Sequence, residues 1–134
     1  MPEPPHAFTD VHHVQLAMPP GGEHAARDFY AGVLGMTEVA KPAPLAGRAG
    51  AWFRAGAVEL HLGVEDHFTP ARKAHPGILV SGLDRLASRL TAAGRPVHWD
   101  GAFPGFRRFY AADPFGNRLE FLEPEHPEPP ATPA

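Results

Sequence analysis

The chain of 134 residues contains no cysteine. This absence excludes disulfide frameworks, thiolate zinc sites, iron–sulfur clusters and cysteine nucleophiles. The chain also lacks a large excess of charge of either sign, since 12 Lys and Arg against 15 Asp and Glu give a net charge of −3. No polyanion is attracted by that balance, so we expect no nucleic-acid partner. No apolar run approaches the ~20 residues of a membrane span, so we expect no membrane partner. Residues 1–6 (MPEPPH) show no basic region followed by an apolar one, and we therefore expect a cytoplasmic protein.

Proline, by contrast, is abundant, with 17 residues, and it is concentrated at both ends of the chain. Five prolines lie among residues 123–134. Proline blocks helices and removes backbone donors, and these segments contain little that could be buried. We interpret residues 1–8 and 124–134 as flexible tails. The remaining residues, 9–123, are predicted to form one domain, because the chain is too short for a second sizeable core.

Between the tails, hydrophobic periodicity predicts the same order of elements twice. The first module, 9–64, has a strand at 11–18, a helix at 23–34 and strands at 37–40, 51–54 and 58–64. The second module, 75–123, has a strand at 75–81, a helix at 83–93 and strands at 97–100, 107–111 and 118–123. Residues 113–116 (DPFG) have the chemistry of a turn that joins the last two strands as a hairpin. The pattern predicts an α+β fold of two βαβββ modules, whose half-sheets carry a helix on one face and curl together into a cup on the other.

Four polar residues occupy equivalent positions of the two modules, on the side of each strand that faces away from the apolar residues. His13 and His75 lie in the first strands, 62 residues apart, and Glu59 and Glu120 lie in the last strands, 61 residues apart. If a pseudo-twofold axis relates the modules, these side chains converge near it. Imidazole nitrogens and carboxylate oxygens are typical ligands of divalent first-row metals. His61 shares the face of Glu59 and competes for the fourth ligand position, and a register slip of one residue would bring in His12 instead of His13.

Five segments resemble the vicinal-oxygen-chelate superfamily, which includes glyoxalase I, fosfomycin-resistance proteins, methylmalonyl-CoA epimerase, extradiol dioxygenases and bleomycin-binding proteins. They are HHVQLAM at 12–18, FYAGVLGM at 29–36, VELHL at 58–62, AHPGILV at 74–80 and DPFGNRLEFLEP at 113–124. The resemblance implies that His13, His75 and Glu120 match the family's metal ligands. Glu59 matches the fourth ligand of glyoxalase-like members, whereas fosfomycin-type and dioxygenase-type members use three.

The resemblance implies a glyoxalase-like enzyme with one divalent ion (Zn, Ni, Co, Mn or Fe) and a small substrate that has vicinal oxygens. Such an ion stabilises negative charge that develops on two neighbouring oxygens, and Glu120 or Glu59 could move a proton as general base. The reaction would be of isomerase, lyase or transferase type. Candidates to shape specificity at the mouth of the cup are Trp52, Arg54, Trp99, Phe103, Phe106, Arg107, Arg108 and Phe109.

Two other functions remain open on the sequence. A metal-free protein of the bleomycin-resistance type would bind a small molecule or drug without chemistry, although it has no need of converging His and Glu residues. An extradiol dioxygenase would use the same three ligands, but such enzymes usually carry more modules than this chain can hold. The resemblance also implies a homodimer of about 29 kDa, twice the 14.4 kDa of the chain. The sequence leaves open whether the site forms within one chain or across two.

Overall fold

The computed structural model describes residues 2 and 5–125 and contains two modules of four strands each. Module one has four strands, a short α-helix that continues into a π-helix, and one 3-10 turn. In chain order these are β1 (Val14–Met18), α1 (Glu23–Ala26), the π-helix (Arg27–Val33), β2 (Thr37–Val39), the 3-10 turn (Ala43–Leu45), β3 (Ala51–Ala55) and β4 (Val58–Val64). Module two has four strands and one helix. These are β5 (Gly77–Leu79), α2 (Leu83–Ala92), β6 (His98–Asp100), β7 (Phe106–Ala112) and β8 (Arg118–Pro124).

The two sheets share one topology. Module one has the strand order β1-β4-β3-β2, and module two has the equivalent order β5-β8-β7-β6. In each sheet the first strand pairs in parallel with the last, and the other neighbours are antiparallel. The predicted α+β fold of two βαβββ modules is confirmed. The domain limits of 9–123 stay a prediction, and of the predicted tails, residues 1, 3, 4 and 126–134 lie outside the described residues.

The first helix differs from the single α-helix predicted over 23–34, because it changes to a π-helix at Arg27. The Leu34 N–H donates to the Phe29 carbonyl over 2.9 Å, which is an i→i+5 bond in place of i→i+4. The wider turn allows the adjacent rings of Phe29 and Tyr30 to be buried together, at 1% and 0% exposure. The apolar spacing of the sequence cannot distinguish this geometry from an ordinary helix.

Two predicted strands are shorter than expected at the ends where the candidate ligands lie. β1 begins at Val14 and β5 begins at Gly77, so His13 and His75 each precede their strand. Residue 76 is proline, which has no N–H to contribute to a sheet ladder. Each of the two histidines therefore lies just before the first strand of its module rather than within it.

A shared hydrophobic core joins the helix-facing sides of both sheets. Its large, fully buried members from module one include Phe29, Tyr30, Phe53, Leu60 and Leu62. Module two contributes residues of the same kind to this cluster, namely Leu83, Leu90, Phe109, Leu119 and Phe121. No helix in the described part of the chain is long and apolar enough to cross a membrane.

A buried polar network surrounds the β7–β8 hairpin turn. The Gly116 N–H donates to the Asp113 carbonyl over 3.1 Å, which confirms the predicted DPFG turn. The Asp113 carboxylate accepts hydrogen bonds from the Tyr30 hydroxyl at 2.8 Å, from the Asn117 side chain at 2.9 Å, and from the backbone N–H groups of Phe115 and Asn117 at 2.9 Å each. Asn117 also donates to the carbonyl of Ala17 in β1 over 2.8 Å. The network thus ties the hairpin of module two to the helix and first strand of module one.

Candidate functional site

The second module brings His75 and Glu120 into direct contact. His75 Nε2 lies 2.8 Å from Glu120 Oε1, and Nδ1 of the same ring donates to the carbonyl of Lys73 over 2.7 Å. Glu120 is 6% exposed, because His75 and Arg108 contact its carboxylate and Tyr110 lies opposite it on β7. The Lys73 carbonyl fixes the proton on Nδ1, so Nε2 is the nitrogen that faces the carboxylate. A hydrogen bond of this kind on the far ring nitrogen is typical of histidines that bind metals.

Arg108 connects Glu120 to a second carboxylate. Its guanidinium donates to Glu120 Oε2 over 3.2 Å and to Asp100 Oδ1 over 3.0 Å. The register of β6, β7 and β8 explains the cluster, because Asp100 is opposite Arg108 and Tyr110 is opposite Glu120. A hydrogen bond from the backbone of Ala102, followed by those from Arg108, lowers the pKa of Asp100. Arg108 therefore binds Oε2 of Glu120, and Oε1 remains for His75.

The first module builds a matching arrangement around Glu59. His61 Nε2 lies 2.7 Å from Glu59 Oε2, and Arg54 donates to Oε1 over 2.8 Å. These two hydrogen bonds, that from His61 being the larger cause, lower the pKa of Glu59 to about 2. Glu59 is thus an ionised carboxylate at neutral pH with little tendency to accept a proton. The register places Trp52 opposite His61 and Arg54 opposite Glu59, which is why all four side chains share one face.

His61 is buried within a column of stacked rings. Its centroid lies 3.8 Å from that of Trp52 and 4.0 Å from that of His13, with interplanar angles of 1° and 14°. His13 is the exposed end of the column and lies 2.9 Å from His12, measured between their Nδ1 atoms. Partial desolvation, followed by repulsion from His61 and His12, lowers the pKa of His13. The neutral form that this favours is the form in which imidazole binds metals.

The predicted ligands therefore fall into two half-sites, one in each module. His13, Glu59 and His61 belong to the module-one half-site, and His75 and Glu120 belong to the module-two half-site. Within residues 2 and 5–125 of a single chain, no three His, Asp or Glu side chains are grouped closely enough to hold one ion. Whether the four ligands meet at one ion stays a prediction.

The other residues proposed to shape the cup divide between the two faces of the sheets. Trp52, Arg54 and Arg108 lie in the half-sites, and Phe103 packs beside Phe106 with their centroids 4.9 Å apart. Three candidates instead occupy the helix-facing side: Phe109 is fully buried in the core, Trp99 packs on it, and Arg107 pairs with Asp84 of α2. The expectation that these three line the cup is wrong, because their strand parity is that of the core.

Sequence reasoning did not single out Tyr110, which lies between His75 and Arg118. The ring centroids of His75 and Tyr110 are 5.5 Å apart, and the Arg118 guanidinium stacks on Tyr110 at 3.8 Å. The pairing register of the hairpin would have revealed this position, because it sets Tyr110 opposite Glu120. The register follows from the turn at 113–116, which the sequence does predict.

Comparisons with known proteins agree with this fold. The model of the Glyoxalase/Bleomycin resistance protein/Dioxygenase superfamily matches residues 10–121. A putative glyoxalase family protein from Bacillus anthracis is 44% identical in sequence, with a TM-score of 0.86 over 90% of this chain and 98% of that chain. Among curated proteins, none matches the chain.

Two further solved structures are similar in fold alone. A glyoxalase/dioxygenase from Nostoc punctiforme is 21% identical, with a TM-score of 0.73 over 94% of this chain and 98% of that chain. A lactoylglutathione lyase from Agrobacterium tumefaciens is 23% identical, with a TM-score of 0.63 over 90% of this chain and 96% of that chain.

Proposed function

Because the chain belongs to the Glyoxalase/Bleomycin resistance protein/Dioxygenase superfamily, we propose that it is a glyoxalase-like divalent-metal enzyme whose small substrate has vicinal oxygens. The proposed ligands are His13, His75 and Glu120, with Glu59 as the fourth and His61 as its competitor. The reaction is of isomerase, lyase or transferase type. The cytoplasmic location expected from the sequence stays a prediction.

The observation that carries the proposal is the His75–Glu120 pair. Both nitrogens of His75 face oxygen atoms, one at Lys73 and one at Glu120, so a proton or a cation must offset the electron pairs of Nε2 and Oε1. The two atoms lie 2.8 Å apart. Adjacent ligands of one ion, each ~2.0–2.2 Å from it, are separated by about 3 Å. The donor set and its spacing therefore fit a divalent first-row ion.

Different residues of the chain would have different roles in the reaction. A divalent ion at this site supplies stabilisation of negative charge that develops on two neighbouring substrate oxygens. Glu120 is the residue that we assign to proton transfer at Oε1, since the low pKa of Glu59 makes that carboxylate a poor base. Arg108 orients Glu120 through Oε2. Glu59 remains ionised and contributes negative charge to the site.

The proposal also includes a homodimer, with each site built from module one of one chain and module two of the other. This arrangement is suggested by the two pairs lying in different modules, with no group of three His, Asp or Glu side chains that could hold an ion within residues 2 and 5–125 of one chain. Leu79 of the edge strand β5 supports it further, because this side chain is 64% exposed and apolar. A twofold contact would cover such edges without open-ended assembly.

Loss of metal affinity in single variants tests the metal site. His75→Ala and Glu120→Gln should each weaken binding of Zn²⁺ or Ni²⁺ at least about tenfold, because even a residue that only orients a ligand accounts for 10–100-fold. The measurement is calorimetric titration of tag-free, metal-stripped protein, followed by elemental analysis. His24→Ala and Glu65→Gln serve as matched controls, because both side chains are exposed and lie outside the half-sites. Unchanged affinity in both test variants would refute the metal site.

Complementation between two inactive chains tests the shared site. His13→Ala damages module one and His75→Ala damages module two, so a mixed dimer with sites across the chains retains one intact site and one doubly damaged site. Mixed dimers isolated with two different tags should bind half the metal of the wild type once the tags are cleaved. If each site lies within one chain, the mixed dimer binds no metal tightly. Light scattering that gives one chain mass, 14.4 kDa, for metal-loaded wild type would contradict the dimer.

A second candidate function is metal-free binding of a small molecule, as in bleomycin-resistance proteins. The stack of Trp52, His61 and His13 favours it, because the exposed ring of His13 offers a flat surface to an aromatic ligand. An extradiol dioxygenase is the less favoured third reading. A protein that binds no divalent ion in the titration but binds planar aromatic compounds would be assigned to the second function.

A further inference from the structure

A pocket with three arginines lies on module two, beside the His75–Glu120 pair. It encloses about 300 Å³ between the start of β6, the end of β7 and the start of β8. Arg72, Arg95 and Arg118 line it together with His98 and Tyr110, and no Asp or Glu is among its lining residues. We call it the arginine pocket. Positive charge is concentrated here although the chain as a whole has a net charge of −3.

The arginines of this pocket differ from those of the two half-sites. Arg54 and Arg108 are engaged by the carboxylates of Glu59, Asp100 and Glu120. Within residues 2 and 5–125, Arg72, Arg95 and Arg118 have no carboxylate within 4.0 Å of their guanidinium nitrogens. Their donors are available to a ligand. Guanidinium groups bind carboxylate and phosphate oxygens through two parallel hydrogen bonds.

Arg118 is held in a fixed orientation for such a contact. Its guanidinium carbon lies over the ring of Tyr110, 3.8 Å from the centroid. A guanidinium held over an aromatic face still has its N–H donors free for hydrogen bonds in its own plane. Stacking thus limits the side-chain entropy that anion binding would otherwise cost.

The pocket and the proposed reaction centre are neighbours along one strand. Arg118 and Glu120 are two residues apart in β8 and therefore lie on the same face of the strand. Because a strand rises about 3.3 Å per residue, their backbones are roughly 7 Å apart. Tyr110 links the two places, since its ring contacts both His75 and Arg118. One small molecule with a short carbon skeleton can reach both places.

We infer that the arginine pocket binds an anionic group, a carboxylate or a phosphate, of the substrate whose vicinal oxygens lie at His75 and Glu120. The inference rests on the proposed function for the position of the reacting oxygens. The substrate class is accordingly a small oxo or hydroxy compound that carries a terminal acid. A neutral or cationic substrate would leave three guanidinium groups without an anionic partner, although Arg95 and Arg118 each lie over an aromatic ring.

Anion titration of metal-free protein tests the inference. Sodium phosphate and sodium malonate are added separately at constant ionic strength, and binding is followed by amide chemical shifts. We expect saturable shifts confined to the segments around Arg72, Ala112 and Arg118 for at least one of the two anions. The tighter anion identifies the acidic group. Shifts spread evenly over the surface, or no saturation with either anion, would overturn the inference.

Variants then assign the binding to named side chains. Arg118→Ala and Arg72→Ala should each weaken binding of the anion about tenfold, since each removes charge-assisted hydrogen bonds to it. Arg72 is exposed, so its variant is expected to fold even if the loss of Arg118 disturbs the sheet. Arg85→Ala removes an exposed arginine of α2 outside the pocket and should change the affinity less than twofold. Equal affinity in all variants would contradict the proposal.

The metal titration distinguishes a failure of the arginine-pocket proposal from a failure of the proposed metal site. If the variants Arg72→Ala and Arg118→Ala bind Zn²⁺ normally and neither anion binds wild type, only the arginine pocket is refuted. If the anion binds as expected and both His75→Ala and Glu120→Gln leave metal affinity unchanged, only the proposed metal site is refuted.

Discussion

Replacing Asp113 with alanine is expected to lower the free energy of unfolding by about 3–5 kcal/mol, because several buried donors lose their acceptor and each one left unsatisfied costs about 1–3 kcal/mol. Asp113 is 2% exposed, and four donors surround its two oxygens. Tyr30 and the side chain of Asn117 would each lose a partner in a region that water does not reach. Burial, followed by the negative charge of Asp113, raises the pKa of Tyr30 well above its ordinary value. The hydroxyl is therefore protonated and acts as a donor at neutral pH.

Denaturant unfolding of Asp113→Ala measures this effect, and two variants calibrate it. Asp10→Ala changes an exposed aspartate and should shift stability by no more than about 0.5 kcal/mol. Tyr30→Phe removes a single donor while it keeps the ring, so we expect a loss of about 1 kcal/mol. A loss for Asp113→Ala no larger than for Asp10→Ala would show that the network contributes nothing to stability.

Gly50→Ala is expected to cost about 3 kcal/mol or more of stability, from backbone strain and steric overlap together. Gly50 has a φ of +111°, where only glycine is unstrained, and a Cβ at this position would clash with the carbonyl oxygen of Leu62. The residue directly precedes β3, which carries Trp52 and Arg54. A shift of this strand would also displace Glu59 from its partners. We therefore expect weaker metal binding in any Gly50→Ala protein that folds.

Gly47→Ala is the matched control for this substitution, since nothing lies within 4 Å of its added Cβ. Its backbone φ is not in the left-handed region, so alanine there should leave stability within about 1 kcal/mol of wild type or raise it slightly. Thermal and denaturant unfolding of both variants give the comparison. Similar stability for the two would mean that the Gly50 turn relaxes without cost.

Much of the fold could be predicted because it depends on local signals. Alternation of apolar residues located β4 and β8, and the DPFG turn located the last hairpin. The repeated order of elements predicted two equivalent modules. The strand order could not be obtained this way, since β1 pairs with β4 across five intervening elements: α1, the π-helix, β2, the 3-10 turn and β3. That pairing depends on burial of the whole core rather than on any short segment.

The sequence could predict which residues lie in the candidate site, but not which hydrogen bonds join them. Strand parity correctly placed His61 and Glu59 on one face, as the register of β3 and β4 confirms. It could not predict that Arg54 and Arg108 would engage the two glutamates, because long side chains choose among several partners within reach. The π-helix was missed for a related reason, since one extra residue in a helical turn leaves the apolar pattern almost unchanged.

The hydrogen bond from His75 to the Lys73 carbonyl has a kinetic consequence. It selects one rotamer and one tautomer of the ring while the chain folds, before any ligand arrives. The entropy of restricting this side chain is thus lost during folding and not again on binding. A ligand that reaches Nε2 finds the ring already oriented, so its association does not require a rotation of the side chain. The association rate would then depend on how fast the ligand loses its hydration water and displaces the proton between Nε2 and Glu120. The lifetime of the complex would depend on how tightly the Glu120 carboxylate binds the ligand.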